Sequence, residues 1–442
     1  MKKRINLNSI KEFKPMRKPM NFQEAIIESN RCLLCEDAPC SQGCPAGTDP
    51  GKFIRQIKFQ NYKGAARTIR INNIMGSSWA HICPTEKLCE KACSAKELSH
   101  PIDISGLQQF AIGYGVEHNL EPMTESKKNM GKVAVIGAGP AGLGCAAELA
   151  KLDYDVTIFE KDSSAGGVPR WNIPDFRLPT SMIEHDLKNV KDLGIEIKYN
   201  ENIDTKEKAD KLINDFDAVF LGTGMNKAFE LPEVSGFANS KNYIDYLRHI
   251  KTDRQYVADY IKGKSVVVIG GGSVALDCAV SSAALGADKV YLISLEHLAE
   301  LPADEEEIEL GHIVNLIFKP NTRVTGVKLV DGKIKAITGN EISWKESNNF
   351  SPSNAINIED TEFTLKADFV VQAIGTLPTI KEVFTELETA GKGCVVSKNG
   401  VTNQSKIFAA GDLVSGGATA VQAIGDGKEA ALSIDKFIKG GK

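Results

Sequence analysis

The feature that most limits how this chain can fold is a pattern written twice. KVAVIGAGPAGLGCAAELA (132–150) and KSVVVIGGGSVALDCAVSSAAL (264–285) each run from an apolar strand through a glycine turn into an alanine-rich helix. A short strand of Val and Ile without polar alternation is buried on both faces, as in a parallel sheet covered by helices. A second parallel strand follows each: DVTIFEK (155–161), ending in an acid, and KVYLI (289–293). DAVFLGTGM (217–225) and ADFVVQAIGT (367–376) read as equivalent strand ends leading from one fold to the other, with Gly224 and Gly375 among their residues. A chain of 442 residues has room for these two folds and one more small domain.

Each glycine turn has the context a dinucleotide fingerprint needs: strand before, helix after, acid beyond. In the first, Gly137 makes the tight turn, Gly139 lets backbone approach a pyrophosphate, and Gly142 allows close helix–strand packing. Pro140 and Ala141 open the helix, whose free N–H groups and dipole favour the phosphates. Glu160 can accept from ribose hydroxyls. The second fingerprint offers Gly270, Gly272, Ser273 and Ala275.

Seven of the ten cysteines precede both folds, as Cys32, Cys35, Cys40, Cys44 and then Cys83, Cys89, Cys93. Disulfides are the wrong reading for a chain of this length that lacks a secretory pattern, since its basic start has no apolar core. Zinc would leave two four-ligand sites one cysteine short, and no histidine is well spaced. Cys44-Pro45 and Cys83-Pro84 are similar to the Cys-Pro pairs of iron–sulfur proteins. Iron–sulfur clusters also give a flavin or nicotinamide site a one-electron outlet. Cys145 and Cys278, each alone on a helix after a glycine turn, read as small core residues.

The cysteine-rich part reads as helical: NFQEAIIESN runs into Cys32, Asp49-Pro50 starts a helix through about Phe59, another spans Lys63–Asn72, and a last runs Ile104–Glu117 with Gln108 and Gln109. Residues 121–132 are a polar linker. Lys2, Lys3, Arg4, Lys11, Lys14, Arg17 and Lys18 form a solvated basic arm, and 331–362 is a polar hairpin or insertion. A net charge of −4 gives no reason to expect nucleic acid, and no run of 18 apolar residues exists to span a membrane.

Two dinucleotide folds with IFAAGDLV (407–414) near the C-terminus resemble the two-dinucleotide flavoprotein reductases. The resemblance implies FAD in the first fold, with Gly411 and Asp412 at its ribityl chain and the following helix aimed at the flavin pyrimidine carbonyls. It implies a nicotinamide cofactor in the second. The disulfide reductases of that group need a paired redox cysteine, which the flavoprotein half here lacks.

More specifically, CLLCEDAPCSQGCPAGTDPGKFI, CPTEKLCEKAC and PIDISGLQQF closely resemble the N-terminal half of dihydropyrimidine dehydrogenase and the flavoprotein subunit of its two-subunit bacterial form. The small subunit of glutamate synthase is similar, less closely. The resemblance implies two [4Fe-4S] clusters: one on Cys32, Cys35, Cys40 and Cys93, the other on Cys44, Cys83, Cys89 and Gln109, with Gln108 the neighbouring suspect and only one of the two able to face fully inward. GGVPRWNIPDFRLP (166–179) matches a family segment expected near the flavin, which brings in Gly167. NADPH-using relatives end the strand after the second fingerprint in an arginine pair. Here Leu295 and Glu296 stand there, with an acidic run beyond whose Glu305 onward reads as a solvated face. A carboxylate repels a 2′-phosphate and suits ribose hydroxyls, so NADH is expected.

The fold class expected is α/β, a helical iron–sulfur domain (1–128) followed by two Rossmann-like domains, the second inserted in the first: FAD at 129–250 and 375–442, NAD at 251–374. The implied function is a cytoplasmic NADH-oxidising subunit that passes electrons to an FMN-bearing catalytic partner in a hetero-oligomer, for reduction of uracil or thymine. The alternatives are the glutamate synthase small subunit, electron input to another ferredoxin-like acceptor, or a non-catalytic redox-sensing flavoprotein.

Overall fold

The computed structural model describes residues 5–346 and 350–440. Lys2, Lys3 and Arg4 of the basic start, and residues 347–349 of the polar insertion, lie outside the described residues. The chain divides into two compact units. Among the described residues, one comprises 5–17 with 171–177 and 227–376; the other comprises 18–170, 178–226 and 377–440.

Both units are built on the same five-stranded parallel sheet. In the larger, the order is Ile407–Ala409, Ala218–Leu221, Lys132–Ile136, Asp155–Glu160, Glu196–Tyr199. In the other it is Ser240–Asn242, Phe369–Gln372, Ser265–Ile269, Lys289–Ile293, Ile317–Lys319. The fingerprint strand is central in each, and its apolar run is buried, Val133–Ile136 in one and Ser265–Ile269 in the other. The two strand ends expected to be equivalent are so: each pairs in parallel with its own fingerprint strand. The chain leaves the larger unit after Asn226 and returns at Leu377, so the second dinucleotide fold is inserted in the first.

The inserted unit takes in more chain than 251–374. Residues 227–250 belong to it, with the helix Tyr243–Thr252 burying Tyr246, Leu247 and Ile250 against Leu276 and Ala279 of the fingerprint helix Ser273–Ala284. The N-terminal segment belongs to it too. Ile10, Phe13 and Met16 are buried in the same core with Phe176, and the Arg254 guanidinium sits 4.2 Å from the centre of the Phe13 ring. The segment is therefore docked through its apolar residues, while Lys11, Lys14 and Lys18 remain exposed as expected and Arg17 does not. Arg17 is ion-paired with Glu306. Nor is the acidic run a solvated face throughout: Glu307 is 3% exposed and pairs with Arg177 at 2.5 Å, and Arg177 also pairs with Asp277 at 2.7 Å. Residues 322–366 add an antiparallel sheet in which Thr322–Val330 and Lys333–Trp344 form a hairpin turning at Asp331-Gly332, both with positive φ.

The four longest helices of the helical module in the larger unit each start on an Asn or Asp whose side chain accepts from a free amide of the first turn. Asn21 does so in a capping box with Glu24 before Phe22–Asn30; Asp49 before Pro50–Lys58; Asn61 before Tyr62–Asn72; Asp103 before Ile104–Glu117. Phe53, Ile54, Ile57, Ile69, Leu107 and Phe110 make its core, which includes Cys89 and Cys93.

Candidate functional site

The first glycine turn is shaped by what surrounds it. Gly137 has φ +99, and a Cβ there would stand 2.7 Å from the Gly222 carbonyl oxygen of the neighbouring strand end. A Cβ on Gly142 would collide with the Gly137 carbonyl, so the helix can approach the strand only with glycine there. A Cβ on Gly139, by contrast, would meet nothing closer than 3.9 Å, and no side chain caps the helix Pro140–Lys151 that it starts. Free amides facing open space are what a pyrophosphate needs. Glu160 is 6% exposed, and burial raises its carboxyl pKa. Its Oε2 accepts from Ala138 N at 2.7 Å and its Oε1 from Asp162 N at 2.8 Å, which leaves lone pairs on both oxygens for hydroxyls. Gly166 donates to the Ala138 carbonyl at 2.8 Å, and Gly167 (φ +57) lies against Gly139. Gly411 (φ +71) packs on Ala141, placing Asp412 beside the same helix, where it accepts from Ala418 N at 3.0 Å. Gly224 (φ +62) has open space around it.

The second turn repeats the construction. Gly270 (φ +138) lies so close to the Ala373 carbonyl that a Cβ would overlap it. A Cβ on Gly272 would meet nothing within 4 Å, and no side chain caps the helix Ser273–Ala284. Ala275 is fully buried as the third small residue. Glu296 stands over this turn: a Cβ on Gly271 would be 2.9 Å from its Oε2. Gly375 (φ +113) faces open space.

Four of the cysteines, drawn from both runs, come together. Cys32, Cys35, Cys40 and Cys93 line one cavity, with Ile54, Ile102 and Ile104 in its wall. Burial pushes the Cys40 thiol up to about 11, with Cys93 and Cys32 adding to the effect, and raises Cys32 likewise, with Cys93 and Cys35 contributing. Cys89 is raised by burial first and then by Cys83, Glu90 and Cys44. Thiolates gathered in apolar surroundings fit a group that supplies positive charge. A four-iron cube takes one thiolate at each corner, and the four cysteines that line this cavity supply that donor set.

Both glutamines of the helix Ile104–Glu117 are buried, contrary to the expectation that only one turns inward. This helix is enclosed nearly all round, Leu107 to Ile112 being buried without interruption. Gln108 Nε2 donates to the Gly76 carbonyl at 2.7 Å and Gln109 Nε2 to the Ala80 carbonyl at 2.6 Å. Gly76 begins the helix Gly76–Ile82 and Cys83 caps its end, so Gln109 is the one placed toward Cys83. Three further residues hold this arrangement and carry no sequence signal of their own. Glu90 accepts from Ile104 N and Ser105 N at 3.0 and 3.3 Å, tying the glutamine helix to the residue after Cys89. Asp186 accepts from Ser77 N, Ser78 N and Ser78 Oγ, fixing the helix that ends at Cys83. Lys428 reaches the backbone just beyond Cys44.

Residues 9–120 match the family model described as dihydropyrimidine dehydrogenase domain II, 4Fe-4S cluster, and residues 131–427 match pyridine nucleotide-disulphide oxidoreductase. The fold of the second match is also that of thioredoxin reductase from T. acidophilum (TM-score 0.52, 20% identity, 69% of this chain and 98% of that one) and of FprA from Mycobacterium tuberculosis (TM-score 0.60, 17% identity, 70% and 85%). The chain is 31% identical to the NADP(+)-dependent formate dehydrogenase subunit beta of Moorella thermoacetica, over 91% of its own length and 60% of that protein's. It is 38% identical to the NAD-dependent dihydropyrimidine dehydrogenase subunit PreT of Escherichia coli K12, over 94% of this chain and 95% of that one, and equally to PreT of Salmonella typhimurium, over 94% of each. With a 4Fe-4S domain joined to a pyridine nucleotide oxidoreductase domain and this likeness along nearly its whole length, the chain belongs to the family of the NAD-dependent dihydropyrimidine dehydrogenase subunit.

Proposed function

We propose that this subunit takes hydride from NADH onto FAD and sends single electrons through two [4Fe-4S] clusters to an FMN-bearing catalytic partner, which reduces uracil or thymine in the cytoplasm. FAD would be held by Gly137, Gly139, Gly142, Glu160, Gly167, Gly411 and Asp412, and NADH by Gly270, Gly272, Ser273, Ala275 and Glu296. The clusters would be held by Cys32, Cys35, Cys40 and Cys93, and by Cys44, Cys83, Cys89 and Gln109. The FAD domain would then comprise the sheet around Lys132–Ile136, and the NAD domain the inserted sheet around Ser265–Ile269.

The observation that carries this reading is the grouping of four cysteines from two distant runs about one cavity, in the same compact unit as an open fingerprint turn. Bound flavin supplies the chemistry that accepts a hydride and releases its electrons singly. The residues here bind and orient: no side chain is needed as acid or base. Gly139 and the amides after it receive the pyrophosphate. The helix Ala420–Gly440 brings its positive end toward the site that Asp412 marks, which favours a reduced, anionic ring.

Protein purified without oxygen should hold about eight irons, for two four-iron cubes, and one FAD per chain. It should also reduce a dye with NADH. With the FMN-bearing partner it should make dihydrouracil from uracil at the expense of NADH. Zinc in place of iron would defeat the electron-transfer reading. Dye reduction without pyrimidine reduction would point instead to a different acceptor.

A further inference from the structure

The cysteine module and the first dinucleotide fold meet on one helix, Ala420–Gly440. Gly425 presses against the Pro45 carbonyl so closely that a Cβ would overlap it. One turn on, Lys428 Nζ donates to the carbonyls of Ala46 at 2.8 Å and Asn72 at 2.9 Å. It thereby pins the loop that carries Cys44 to the end of the helix Tyr62–Asn72. The same helix is locked lengthwise on the fingerprint helix Pro140–Lys151: a Cβ on Gly427 would overlap the Ala141 carbonyl, and one on Gly144 would come within 2.8 Å of the Ile424 carbonyl. The charged groups facing Lys428 from that helix, Glu148 and Lys151, pair with each other at 3.1 Å. This ammonium is half-buried and engaged with neutral carbonyls, and its charge interacts with Glu148 and with Cys44.

We propose that Lys428 is a positioning residue for electron transfer between the two modules. It fixes the distance from the flavin helix to the Cys44 loop, and its charge stabilises the form of that site carrying one more electron. The inference rests on the reading that Cys44, Cys83 and Cys89 hold a cluster. A lysine is suited to both tasks because the flexible stem reaches across the joint while the head makes several hydrogen bonds. No bond is made or broken by it. One electron leaves the reduced flavin and the same electron is gained by the cluster, and Lys428 alters only how favourable that exchange is.

The test is a redox titration of the intact, anaerobically prepared protein, followed by electron paramagnetic resonance, on wild type, Lys428→Gln and Lys428→Arg. Glutamine keeps donors for the carbonyls but removes the charge; arginine keeps the charge. In Lys428→Gln the midpoint of the Cys44 cluster should fall by about 59 mV, a tenfold loss in the one-electron equilibrium. The other cluster should hold its midpoint, and Lys428→Arg should restore the first. Loss of the Cys44 signal in Lys428→Gln with its retention in Lys428→Arg would support the same role. An unchanged midpoint in Lys428→Gln, an equal shift of both clusters, or no recovery in Lys428→Arg overturns it. A wild-type protein with no signal from Cys44, Cys83 and Cys89 would overturn the proposed function instead, which is a different outcome.

Discussion

Glu296 holds its carboxylate over the backbone of Gly271, in the middle of the second fingerprint: the Oε2 lies 2.9 Å from where a Cβ on that glycine would stand. A ribose laid along this turn meets an acceptor, and a 2′-phosphate meets a like charge.

Dye reduction should therefore favour NADH over NADPH. Glu296→Gln should lower kcat/KM for NADH by about ten- to a hundredfold, the loss of a charge-assisted hydrogen bond. Leu295→Arg with Glu296→Arg should move the preference toward NADPH. A wild type that prefers NADPH would show that the carboxylate does not meet the ribose.

Gln109→Ala should damage one cluster and leave the other, seen as a partial loss of iron and of one resonance signal. Gln108→Ala should keep both clusters and lose about 1 kcal/mol of stability, since it removes the hydrogen bond to the Gly76 carbonyl. If Gln109→Ala retains both signals unchanged, the eighth ligand lies elsewhere.

Asp186 makes the cluster-free protein sensitive to pH. Burial raises its carboxyl from 3.8 to about 7, against the pull of its hydrogen bonds from Ser78 and Ser77. Because the folded value is the higher one, the native state binds the extra proton between roughly pH 4 and 7. Stability from this group therefore falls as pH rises through that window and is level outside it. Asp186→Asn should flatten the slope of melting temperature against pH. It should also cost about 1–3 kcal/mol, because an amide nitrogen replaces one accepting oxygen. An identical slope in the variant would remove Asp186 as the source.

Arg177→Met should destabilise the inserted unit by about 3–5 kcal/mol, since it leaves Asp277 and Glu307 buried without their cation. Because Asp277 lies on the fingerprint helix, NADH affinity should weaken while iron content is kept. Urea unfolding and nucleotide titration would show it, and a wild-type unfolding midpoint would refute it.

Local features were readable from the chain because local chemistry decides them. Asp49 before Pro50, the glycines at 137 and 270, and Glu160 at a strand end all act within a turn or a βαβ unit. Arg17 and Glu307 pair with residues far along the chain, so charge alone suggested a solvated surface where the structure has ion pairs, and Lys428 gave no signal at all because its carbonyl partners are equally remote in sequence. Gln108 failed for a subtler reason. Helix geometry separates adjacent side chains by a large angle, but a helix packed on most sides buries both.

The inserted unit is assembled from three stretches of chain, and this limits how it can be handled as a module. A gene fragment encoding only 227–376 would lack Ile10, Phe13, Met16 and Phe176, and an open apolar cleft would remain where they pack. Grafting a different nucleotide specificity onto this subunit by swapping that fragment would therefore trade sound chemistry for an aggregating protein. Point changes at Leu295 and Glu296, or an exchange that carries residues 5–17 and 171–177 along with the fragment, are the cuts the architecture permits.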